Sequence, residues 1–221
     1  MTTTIERQRS PNRETRSIEA RPLDLVRLSR PLELVPGSAP LWVANALRAA
    51  PWVVVLRTAS PQGRVAVGVR GTARSQRFAM GICETAVIEV LTPEDLAMRI
   101  AELERELPAV RALRAMSALL AKAEVPWGPT GSVAFELASG VPVVTLGSDL
   151  DVLIRPAGLP ARAWTTRLHV ALQRLPARVD CQIETDDGAL ALCELVSGAP
   201  EVLLRTPTGP RLIPAPWRNA A

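Results

Sequence analysis

The sequence predicts a chain of the α+β to α/β class, with a small N-terminal α+β module ahead of a larger domain of strands and helices. Three observations carry this reading. Short runs rich in Val and Ile, bounded by Gly or Pro, cluster between residues 51 and 91 behind a single short helical pattern. From Thr92 onward, helical and extended patterns alternate, as they do where helices cover a sheet. The 221 residues, 48% hydrophobic and 22% charged, suffice for one large domain or two small ones with a buried core. Residues 1–20 read as a disordered tail, 21–91 as the N-terminal module and 92–221 as the second domain.

The elements follow in order. "RPLDLVRLS" opens the ordered region, and a short helix is expected near residues 41–49. "PWVVVLRT" and "GRVAVGVRG" read as strands joined by a turn at Ser60-Pro61-Gln62-Gly63, and "TAVIEVL" as a third strand. Thr92-Pro93-Glu94-Asp95 starts a helix: a hydroxyl cap, Pro at the first helical position and acids in the first turn. Leu96, Ile100 and Leu103 form its apolar stripe. A second helix is expected over about 110–123, with Leu113, Met116 and Leu120 on one face. "PWGPTGSVAFELASG" is a Gly-rich turn leading into a short helix that breaks at Ser139-Gly140. "VPVVTLG" and "SDLDVLIRP" read as extended. Trp164, Leu168, Ala171, Leu172 and Leu175 mark an amphipathic helix ended by Pro176. A hairpin follows, turning near Asp187-Gly188, and then a last strand pair around Thr206 to Gly209.

Composition narrows the function classes. Net charge is +4, carried almost wholly by Arg, since Lys122 is the only Lys. Arg binds phosphate and carboxylate through a planar fork, so an anionic partner fits. The Arg residues are scattered rather than striped, and there is no Tyr, which argues against nucleic acid as partner. No run of about 18 apolar residues occurs, so no membrane span is expected. Residues 1–20 lack the apolar stretch of a signal peptide, and Cys83, Cys181 and Cys193 are an odd, widely spaced set. Together these suit a reducing cytoplasm. Cys181 and Cys193 read as small core residues, and a single His, His169, makes a structural zinc site a poor fit.

Three features carry chemistry. Gly131-Ser132 sits at a turn opening a helix, where free N–H groups and the helix dipole can cradle phosphate, although an ordinary helix cap has the same appearance. Asp149 and Asp151, at i and i+2 of one strand, point the same way. Like charges so placed suit a solvated strand end or a cation between them. Asp180 lies in a strand one helix later, where sheet pairing can bring it beside the other two. Three carboxylates on one sheet face form a hard-oxygen set suited to Mg2+. Arg70, Arg74 and Arg77 share a face if that stretch is helical, and they are a candidate contact for phosphate groups or for an acidic surface. Arg155, at a strand end, is a fainter phosphate candidate.

Gly131-Ser132, then Ser148-Asp149-Leu150-Asp151, then Asp180 resembles the nucleotidyltransferase superfamily. More closely, "WGPTGSVAFELASG…SDLDVLIRP", with "DCQIETDDGALALCEL" and "VGVRGTARSQRFA", is similar to the phosphoribosyl-dephospho-coenzyme A transferases. These are the holo-acyl-carrier-protein synthases of bacterial malonate decarboxylase. The likeness covers most of residues 21–213. It departs in "RPLDLVRL", where Leu23 stands in place of an expected His.

The resemblance implies a polymerase-beta-like catalytic domain with a mixed sheet flanked by helices. It implies Mg2+ held by Asp149, Asp151 and Asp180, and phosphates held by Gly131, Ser132 and Ser148. The implied substrate is triphosphoribosyl-dephospho-CoA, and the implied acceptor is a serine of the apo acyl-carrier subunit. Two other readings stay open on the residues alone: a nucleotidyltransferase using an NTP on another acceptor, and a non-catalytic module that docks the carrier protein.

Overall fold

A computed structural model describes residues 19–217 except 74 and 122. The expected tail over 1–20 therefore falls almost entirely outside the described residues, as does Arg74.

Two sheets organise the molecule. The first holds β1 (Leu25–Leu28), β2 (Trp52–Val55), β3 (Arg64–Arg70), β4 (Arg77–Cys83) and β5 (Val87–Leu91), in the order β4-β3-β2-β1-β5. Every pairing in it is antiparallel. Alternation along the strands gives this sheet two apolar faces. Val26, Leu28, Val53 and Val55 join Val43 and Leu47 of α1 (Leu41–Ala49) in one core cluster. Leu25, Trp52 and Val54 point the other way and belong to the larger cluster built by the rest of the chain. The N-terminal module is therefore seated on the second domain through a shared core.

The second sheet holds β6 (Trp127–Pro129), β7 (Leu150–Ile154), β8 (Val179–Thr185), β9 (Gly188–Ala191), β10 (Glu201–Thr206) and β11 (Gly209–Pro214) in sequential order. Only β7 and β8 pair in parallel, so the sheet is mixed. Parallel neighbours need a crossover, and it is made by α5 (Arg162–Leu172), counted after α2 (Pro93–Ala97), α3 (Pro108–Leu120) and α4 (Gly131–Ser139). A last short helix, α6 (Leu192–Val196), follows β9. The hairpins at Asp187-Gly188 and at Thr206 to Gly209 stand where turn chemistry placed them. β6 carries Gly128 because a Cβ there would lie 1.7 Å from the Pro93 carbonyl oxygen, so only glycine lets β6 lie against α2.

Several expectations are corrected. The described residues between 70 and 77 are not helical: Arg70 and Arg77 are cross-strand partners at the end of the β3–β4 hairpin. A spacing of seven suits either geometry, and the pairing of "VAVGVR" with "RFAMGIC" decides it. β1 and β4 are strands beyond those expected: β1 is only four residues, and β4 is defined by its pairing with β3. The helix begun at Thr92 has the capping box with Asp95, but α2 ends at Ala97, and a separate 3-10 turn spans Ile100–Glu102. Leu96 and Leu103 are still buried. Residues 141–146 form no strand, and α6 replaces the tail of the expected hairpin. Cys181 is a core residue, but Cys193 is exposed on α6.

Candidate active site

β7 alternates between core and site. Leu150, Val152 and Ile154 enter the large core cluster, and Asp151 projects from the opposite face. β8 repeats the pattern with Cys181 and Ile183 inside and Asp180, Gln182 and Glu184 on the other side. The parallel register sets Asp151 directly opposite Asp180. Registered neighbours share a face, so these two carboxylates are flank to flank, and Asp149, in the loop just before β7, lies close enough for its charge to act on Asp151. Asp180 is exposed, while Asp149 and Asp151 are partly buried.

The electrostatics show this crowding. Burial pushes the Asp151 carboxyl above its ordinary range, and the charges of Asp180 and Asp149 push it further. Arg70 and Arg77 pull it back. The end of the β3–β4 hairpin therefore lies within electrostatic reach of the carboxylates, and the N-terminal module contributes to the site's field.

The Gly131 turn abuts Asp151. β6 runs antiparallel to β7, the Thr130 amide donates to the Asp151 carbonyl at 2.8 Å, and the chain then turns into α4. Gly131 has φ +62, and a Cβ there would lie 1.9 Å from Asp151 Oδ2. Both facts require glycine. The cap residue of α4 is Thr130, which makes no side-chain capping bond, so Ser132 is not the cap. Ser132 lies in the first turn and is buried. Gly131→Ala is expected to lower turnover about 100-fold by displacing the Asp151 carboxylate, since misplacement of about 1 Å can cost that much. Comparison of kcat for the two proteins checks this, and a loss under threefold would contradict it.

The remaining candidates fall elsewhere. Ser148 Oγ accepts from the Thr145 amide at 3.0 Å and lies 3.2 Å from Thr145 Oγ1, closing a turn just before Asp149. Arg155, the fainter phosphate candidate, is committed to protein partners. Its guanidinium is held by Glu184, Glu94, Asp24 and the Pro22 carbonyl, and its side chain is 8% exposed. A strand-end Arg looks alike in sequence whether it faces solvent or three acids.

Among the described residues no three His, Cys, Asp or Glu side chains converge into a metal cage. The donor set nonetheless suits Mg2+, which binds through one or two carboxylates together with waters and substrate phosphates. Asp149, Asp151 and Asp180 offer such oxygens, and their mutual repulsion is what a cation relieves.

Sequence reasoning passed over Glu136. It is 6% exposed on α4, and the one signal was a lone acid inside the apolar run "VAFELA".

Residues 95–216 match the phosphoribosyl-dephospho-CoA transferase MdcG C-terminal domain, and residues 21–93 match the corresponding N-terminal domain. The chain belongs to the phosphoribosyl-dephospho-CoA transferase family. A phosphoribosyl-dephospho-CoA transferase of Pseudomonas aeruginosa is 43% identical over 199 residues, covering 90% of this chain and 94% of that protein. The one from Pseudomonas syringae pv. tomato is 42% identical over 190 residues, covering 86% and 90%. A Pseudomonas putida relative is 41% identical over 197 residues, covering 89% and 95%. No solved structure matches. These alignments take in both sheets, so the family likeness extends to the Arg70–Arg77 hairpin as well as to the carboxylate face. Among the described residues no helix is long and apolar enough to cross a membrane.

Proposed function

We propose that this chain transfers the phosphoribosyl-dephospho-CoA group from triphosphoribosyl-dephospho-CoA to a serine of the malonate decarboxylase acyl-carrier subunit. The serine hydroxyl oxygen attacks the phosphorus next to the ribose. A phosphodiester bond forms, the bond to the outer two phosphates breaks, and pyrophosphate leaves. The reading rests above all on the register that puts Asp151 beside Asp180 against the Gly131 turn.

The residues divide the work. Asp149, Asp151 and Asp180 would hold Mg2+, which supplies charge neutralisation for the triphosphate and acidifies the incoming hydroxyl. Asp180, the exposed member, is placed to take up the serine proton. The first turn of α4 at Gly131 and Ser132 offers backbone N–H groups to the departing phosphates. Ser148 sits in the turn beside Asp149 as a further hydroxyl for phosphate. Arg70 and Arg77, whose charges act on Asp151 from the hairpin, suit the remaining phosphate charge or an acidic carrier surface. Catalysis of this kind is mostly positioning and electrostatic stabilisation. We place the reaction in the cytoplasm, as suits three free cysteines of which two are exposed.

The test is direct. The protein is incubated with Mg2+, apo-carrier and triphosphoribosyl-dephospho-CoA, and the carrier mass is followed. Parallel reactions replace the donor with ATP, CTP or GTP. The expected result is one phosphoribosyl-dephospho-CoA adduct from the triphosphoribosyl donor alone. EDTA should lower turnover at least roughly 100-fold, with recovery on adding Mg2+. Transfer from ATP alone, or turnover undiminished by EDTA, would contradict the reading.

A further inference from the structure

The loop between α4 and β7 carries Ser148 and Asp149, yet it has no regular structure of its own to hold them. Two consecutive backbone amides of the loop bond to one buried acid. Glu136 Oε2 accepts the backbone N–H of Val143 at 2.8 Å and that of Val144 at 2.7 Å. Arg105 Nη1 approaches both carboxylate oxygens at 3.3 Å, and its side chain is 44% exposed. Val144 itself is 1% exposed, so the anchored segment is part of the core.

Glu136 also lies on the same helix as the Gly131-Ser132 turn. It stands four residues after Ser132 on α4, and positions i and i+4 share a helix face. Both side chains are buried, Ser132 at 5% and Glu136 at 6%. The same helix therefore presents Gly131-Ser132 at its start and grips the Asp149 loop near its end. From the grip the chain continues through the Thr145–Ser148 turn, where Ser148 N donates to Thr145 O at 3.2 Å. Leu150 N then locks onto Arg178 O at 2.9 Å, beside β8. Asp149 lies between these two fixed points.

A buried carboxylate is costly without partners. Glu136 has three, and two of them are consecutive backbone amides of a loop that makes no ladder. A leucine would fill the same apolar helix face at no desolvation cost but would leave both amides unbonded.

We propose that Glu136 is a positioning residue that sets the distance between the Gly131-Ser132 turn and Asp149 by clamping the Val143 and Val144 amides to α4. This rests on the transferase reading above. It assigns Glu136 no contact with substrate. Its essential property is an acceptor oxygen aimed at two N–H groups, and Arg105 only offsets its charge.

The experiment compares wild type, Glu136→Ala, Glu136→Gln and Arg105→Met as full chains with the triphosphoribosyl donor and apo-carrier. Amide hydrogen exchange at Val143 and Val144 is read alongside kcat and KM. Glu136→Ala is expected to speed exchange at those two amides and to lower kcat roughly 30- to 100-fold, with KM for the carrier unchanged. Glu136→Gln keeps an acceptor oxygen, so it should retain the slow exchange and stay within about fivefold of wild-type kcat. Arg105→Met should behave like Glu136→Gln.

Fast exchange in Glu136→Ala with near wild-type kcat would overturn the proposal, since the clamp would then not matter to the site. Equal losses in Glu136→Ala and Glu136→Gln would overturn it too, because charge and not the acceptor would be at work. If Glu136→Ala does not fold, Glu136→Gln and Arg105→Met decide: activity within fivefold supports the clamp, and a loss of 30-fold or more overturns it. A wild-type protein that transfers from no donor would instead show that the transferase reading itself is wrong, and the positioning role falls with it.

Discussion

Asp151→Asn is expected to lower transfer roughly 10³-fold while making the free protein more stable. The two effects have one cause. Asp151 sits in register with Asp180 and next to Asp149, and burial together with both like charges raises its carboxyl above the ordinary value of 3.8. A raised folded-state pKa means that the folded protein holds the proton more tightly than the unfolded chain does. The group's stabilising contribution is thus complete below about pH 3.8 and is lost as pH rises through the raised value. At neutral pH the ionised carboxylate costs stability, and a neutral amide of the same shape removes that cost. Relief of about 1 kcal/mol corresponds to roughly 2–4 °C in a chain of this size. Thermal unfolding of the metal-free proteins at pH 7 and at pH 4 checks the sign: the advantage of the Asn variant should shrink at the lower pH. A variant that is both inactive and less stable would show that Asp151 is a structural residue.

Arg155→Met is expected to cause the largest loss of stability of any single exchange discussed. Arg155 joins parts of the fold that are far apart in sequence. Its Nε donates to Glu184 on β8 at 2.5 Å, and its Nη1 donates to Glu94 on α2 at 2.8 Å. Its Nη2 reaches Asp24 at 3.2 Å and the Pro22 carbonyl at 2.9 Å, ahead of β1. Asp24 is 0% exposed; burial raises its carboxyl, and the Arg21 amide and Arg155 draw it back down. Removing the guanidinium leaves buried acids uncompensated, which costs about 3–5 kcal/mol. That corresponds to a fall in Tm of roughly 6–20 °C. Arg155→Lys should recover little, because an ammonium group cannot reproduce the planar fork that serves four acceptors. Arg57 also pairs with Glu184 at 2.5 Å, but its Nη2 is buried without a partner, so it is not positioned to take over. Melting curves followed by circular dichroism would decide, and a shift under 2 °C would contradict the account.

Arg155 also shows why sequence reading reached the site only in part. As a letter at the end of "DVLIR" it is compatible with a phosphate contact, and only its three-dimensional neighbours reveal a structural tie. Arg70 and Arg77 went the other way. Their spacing allowed a helical face, yet the hairpin makes them cross-strand partners, and they still end near Asp151. Glu136 left almost no trace, because a buried acid is explained by the amides it meets and those lie seven and eight residues on.

What the sequence alone determined is local. The two-residue period of "LDVLI" put Asp151 on the face opposite the core. Gly131 before an apolar helical run marked a turn opening a helix, and Asp187-Gly188 marked a hairpin. Each is decided by φ/ψ preference and by the burial of neighbours a few residues away. Tertiary structure alone decided which strands pair and in what register: Asp180 beside Asp151, the Arg70–Arg77 hairpin end within electrostatic reach of Asp151, and Arg155 among three acids. Those placements depend on long-range packing of two sheets about a shared core. Many residue pairings satisfy the local periodicities, and only the burial of the whole chain selects among them.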